Sequence, residues 1–137
     1  MSNEFAESCS VIEECYEYML AYAGQGLAGE QDGLIRDFLS RAAKALANLE
    51  NAYASAIDYA IAQHGQDAAP YQAFQSVLAR DARDSMAAVE LVLAQSTISS
   101  QLIDNLNASI HLRALLTDLF LVSEILKAQP APARPVG

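Results

Sequence analysis

Ile35, Leu39, Ala42, Leu46, Leu49, Tyr53, Ala56 and Ala60 follow one another in alternating steps of four and three residues for almost four heptads. An α-helix brings residues at that spacing onto one side, whereas a strand would need strict alternation. The segment therefore predicts a helix over about residues 33–64, roughly 45 Å long at 1.5 Å per residue. Its alanines favour helix and let neighbouring helices approach closely. His64 and Gly65 supply the stop, a side chain compatible with the helix dipole followed by a glycine cap.

The rest of the chain repeats the pattern. Phe5, Cys9, Ile12, Tyr16, Met19 and Ala23 form a seam that predicts a first helix over about residues 3–24. Gly24, Gly26, Gly29 and Gly33 then mark a loop. Asp67 as a cap and Pro70 in the first turn open a third helix over about 68–95. Its inner face carries Tyr71, Phe74, Leu78, Ala82, Ser85, Val89 and Val92. Several N-cap candidates within residues 96–100 introduce a fourth, over about 99–128. Residues 129–137, with prolines at 130, 132 and 135, cannot continue it and are expected to be a disordered tail. Long amphipathic helices with short connections predict an all-α fold: a single antiparallel four-helix bundle with a Pro/Ala-rich C-terminal tail.

Charge narrows the function classes. Seventeen acidic residues against eight basic ones leave a formal charge of −9. This excludes a phosphate backbone or an anionic membrane surface as the main partner, so no nucleic acid is expected. The most apolar stretch, 112–126, is interrupted by Arg113, Asp118 and Glu124, so no membrane span is expected. The first residues show no signal-like pattern. Cys9 and Cys15 lie six apart, about 120° around a helix, and cannot bridge each other. Reduced thiols in a cytoplasmic protein are the expectation.

Motifs for chemistry are missing. There is no Glu-x-x-His for a di-metal bundle, no Gly-x-Ser-x-Gly elbow and no Gly-x-x-x-x-Gly-Lys phosphate loop. No catalytic residue and no cofactor are therefore expected. Glu13, Glu14 and Glu17 form the densest acidic group, a candidate hard-cation site or docking face for a basic protein partner. Asp104, Asn107, His111 and Asp118 share one stripe of the fourth helix, a stripe expected to face solvent or a groove. Tyr16, Tyr53, Tyr59 and His111 are candidates to line a ligand pocket in the bundle core.

The apolar surplus between Leu115 and Leu126 carries the most weight. Eight of those twelve residues are large and apolar, where a single buried face needs three to four in seven. Leu116, Phe120, Leu121 and Ile125 are thus expected at an interface. The resulting expectation is a non-enzymatic interaction protein that dimerises through its last helix. The alternative is a bundle that binds a small molecule or metal in its core.

Overall fold

The computed structural model describes residues 4–26 and 32–128; the expected tail and Gly29 lie outside them. Among the described residues there is no strand, and five helices account for most of them: α1 (Glu4–Ala23), α2 (Gly33–His64), α3 (Ala68–Leu93), α4 (Ser100–Asn107) and α5 (Ile110–Lys127).

The span expected as one fourth helix is two. Ser109 has extended backbone and its hydroxyl accepts from the amides of His111 and Leu112, at 3.2 and 3.5 Å. That side-chain cap satisfies amides at the start of α5, so α4 and α5 can separate without a Gly or Pro. Ser99 caps α4 in the same way, accepting from Leu102 N–H at 3.1 Å.

The buried face of each helix drifts from the heptad seam. On α1 the core takes Cys15 and Tyr22, while Tyr16 and Ala23 are half-buried. On α2 it takes Ala52 and Ile57, while Ala56 is half-buried. A straight helix turns once in 3.6 residues, so a seven-residue repeat slips by about 20° each time. The core follows the straight helix.

Specific side-chain contacts join neighbouring helices. Phe5 packs edge-on to Tyr53 at 5.9 Å between ring centroids, while Tyr18 stacks on Phe38 at 4.5 Å. Between α2 and α3, Tyr53 bonds the carbonyl of Tyr71, while Arg36 bonds that of Leu93. Between α3 and α5, Ser85 bonds the carbonyl of His111, and Phe74 shares a cavity with Val122 and Ile125. The core assembled this way draws on all five helices. No described helix is long and apolar enough to cross a membrane.

Candidate functional site: an apolar cavity between the ends of three helices

The cavity sits where α2 ends, α3 begins and α5 ends. Gly65 stops α2 in the left-handed conformation (φ 64°), its N–H bonding the carbonyl of Ile61 at 3.0 Å. A glycine takes that φ at little cost, which is why the stop falls there. Two residues later Asp67 caps α3 by accepting from Ala69 N–H at 3.2 Å. Pro70, in the first turn, would have no intrahelical acceptor for an amide in any case. The connection is therefore tight, and it holds Gln66, Asp67 and Pro70 along one side of a cavity of about 420 Å³.

Three aromatic rings meet there. Tyr53 is buried and donates its hydroxyl to the carbonyl of Tyr71 at 2.8 Å. Burial first, and then the neighbouring Tyr71, push the Tyr53 phenol up to about 12, so it stays a neutral donor. Tyr71 and Phe74 are only half-buried although they continue the inner face of α3, because the cavity lies against them. The wall from α5 is aliphatic: Leu121, Val122 and Ile125. Val122 is buried, whereas Leu121 is 50% exposed, Ile125 38% and neighbouring Phe120 55%. The site can hold apolar surface. It presents no nucleophile, and its titratable lining consists of Asp67 and the two tyrosines.

The other candidates are dispersed. Of the four residues expected to line a pocket, Tyr53 alone reaches this cavity; Tyr16 is half-buried on α1, Tyr59 is exposed on α2, and His111 is exposed at the start of α5. Leu116 was expected at an interface and is buried instead, at 5% exposure. Glu14 and Glu17 are exposed and Glu13 half-buried, and no group of three or more His, Cys, Asp or Glu among the described residues could hold a metal ion.

The expected stripe of Asp104, Asn107, His111 and Asp118 does not exist. Asp104 and His111 are exposed, but Asn107 and Asp118 are buried, each 8% exposed. The restart at Ser109 unties the α4 pair from the α5 pair, and within α5 His111 sits in the first turn, open to solvent, while Asp118 one heptad on is covered. Both amide atoms of Asn107 lack a hydrogen-bond partner among the described residues. Cys9 and Cys15 are free and buried. Burial pushes their thiols up to about 11 and about 12, so neither is a thiolate nucleophile.

The cavity was not visible in the sequence. The spacing puts Tyr71 and Phe74 on the inner face of α3 and Leu121 and Ile125 on an outer face of α5, and only the contact of the two helices makes a container of them. Comparison with protein-family models, with curated proteins and with solved structures finds no match.

Proposed function

We propose that this chain is a non-enzymatic recognition protein whose working surface is the apolar end of α5, and that a second copy of the chain is its first partner. The single observation behind this reading is the exposure of Phe120, Leu121 and Ile125 beside an aromatic-lined cavity. Large exposed side chains that continue into an apolar recess are what interfaces use as anchor and socket. In this reading the helices form an antiparallel bundle in which α4 and α5 together take the fourth position. The acidic face of α1, with Glu13, Glu14 and Glu17, is the proposed docking side for a basic protein. A cytoplasmic setting with reduced thiols fits the two buried, unpaired cysteines.

Leu121→Glu and Phe120→Glu test it. Both positions are about half exposed, so folding should change by no more than about 0.5 kcal/mol. The native mass should fall from a multiple of 14.7 kDa to the single chain. An unchanged mass rejects self-association through α5.

One observation supports a second reading, a small apolar ligand. The cavity volume falls within the ~300–1,000 Å³ range of ligand pockets and its lining is mostly aromatic and aliphatic. Extra mass on the native chain that Leu121→Glu abolishes would favour this reading over dimerisation.

A further inference from the structure

Asp118 is the buried charge the fold does not explain. It is 8% exposed, and no donor among the described residues reaches its Oδ2. The register between the two helices sets what lies opposite. Ser85 meets His111 at one end and Phe74 borders one cavity with Val122 at the other, so Asp81 lies across from about Leu115, one helical turn from Asp118; half-buried Asp81 reaches the Asp118 carboxyl across that turn. Two carboxylates in a desolvated contact repel each other unless one keeps a proton, which then bonds them together.

The surrounding charges do not relieve the pair. On α3, Arg80 and Arg83 are exposed and Asp84 is half-buried. On α5, Arg113 and Thr117 line a recess of about 580 Å³ that reaches Asp118, and the Thr117 hydroxyl is turned back to the Arg113 carbonyl at 2.9 Å. From α4, Asn107 is buried and uncharged in kind, and Asp104 is exposed. From α1, Cys9 reaches α5 at Ser123, with Glu13 acting on that thiol. Among the described residues the ion pair in the structure joins Asp32 to Arg36, and no cation pairs with either Asp81 or Asp118.

We propose that Asp81 and Asp118 share one proton across the α3–α5 contact, and that its loss loosens α5 and opens the cavity wall that α5 provides. The pair is a proton-operated latch. Burial first, and then Asp81, push Asp118 up to about 7, so the latch would change state near neutral pH. The recess beside Asp118 gives the proton a route to water. The latch stands on the buried pair alone; its effect on recognition rests on the function proposed above.

The sign follows from proton counting. With its pKa raised in the folded state, Asp118 binds more protons folded than open between about pH 4 and pH 7, so closure weakens as pH rises through that window. Amide hydrogen exchange of α5 on the full chain, corrected for the intrinsic pH dependence of exchange, reads this directly. The expected result is an opening constant for residues 115–125 that rises at least about tenfold from pH 5 to pH 8. Asp118→Asn keeps the shape without the charge and should flatten the profile, and Asp81→Asn should reduce its slope. A wild-type profile that is already flat, or one that both variants retain, overturns the latch. Carbon-13 titration of the Asp118 carboxyl is the second reading; a midpoint in the ordinary range near 4 also overturns it. Native mass at the same two pH values separates the two ideas. If α5 opens with pH while the mass stays constant, the latch stands and recognition through this face fails.

Discussion

The two ends of α2 show opposite ways of finishing a helical core. At its start the ends are tied by polar groups. Arg36 donates to the carbonyls of Leu93 and Gln95, at 3.1 and 2.7 Å, and pairs with Asp32 at 3.1 Å. Asp32 also accepts from the amide of Ile98 at 3.1 Å, and the hydroxyl of Tyr22 donates to the Ile98 carbonyl. These bonds hold the segment between α3 and α4, whose backbone groups are not all paired within helices. At the other end the connection caps itself through Gly65 and Asp67, and apolar side chains remain around a cavity. Backbone groups that need partners recruit charged side chains; a self-satisfied turn leaves its surroundings free for something else.

Substitutions at the tied end should have the larger effect on stability. Arg36→Ala removes both carbonyl bonds and the ion pair and should cost about 2–3 kcal/mol in urea unfolding. A cost below about 1 kcal/mol would mean that water replaces the guanidinium and that the tie is not structural.

The tyrosines sharpen the comparison because each end has one that donates to a backbone carbonyl. Tyr22→Phe leaves the carbonyl of fully buried Ile98 without its hydroxyl donor and should cost about 1–2 kcal/mol. Tyr53→Phe should cost about 1 kcal/mol or less, because the Tyr71 carbonyl borders a cavity that water can enter. Equal costs, measured by denaturant midpoints at unchanged slope, would erase the distinction between the ends.

The smallest effect concerns acid. The hydrogen bond from Arg36, and next that from Ile98 N–H, hold the Asp32 carboxyl below its usual range. A depressed carboxyl contributes stability above its unfolded pKa, near 4, and loses it as pH falls through the folded value. Asp32→Asn should therefore narrow the gap in melting temperature between pH 6 and pH 3. Asp118, pushed in the opposite direction, should favour folding as pH falls. A wider gap in the Asn variant would reverse the assignment at Asp32.

Much of the local structure was legible because it is a property of each helix alone. Leu78, Ala82, Ser85, Val89 and Val92 were read as the inner face of α3, and all are buried. The expected fourth helix runs through Ser109 although the signal for the break, a serine cap, is present in the chain, because neither Gly nor Pro marks the position. Leu116 was misplaced for a related reason: a surplus of apolar residues says that some must face outward, not which.

What the sequence determined by itself is therefore the all-helical character, the expectation of no membrane span, and most of the inner face of α3, since periodicity of side chains is set within a few turns of one backbone. The tertiary structure decided that Tyr71 and Phe74 would face Leu121 and Ile125 across an open space, and that Asp118 would meet Asp81. Those pairs lie 37 to 54 residues apart in the chain. Whether a side chain at such a position meets water, a ring or another carboxylate depends on the helix packed across from it, and no local repeat encodes that neighbour.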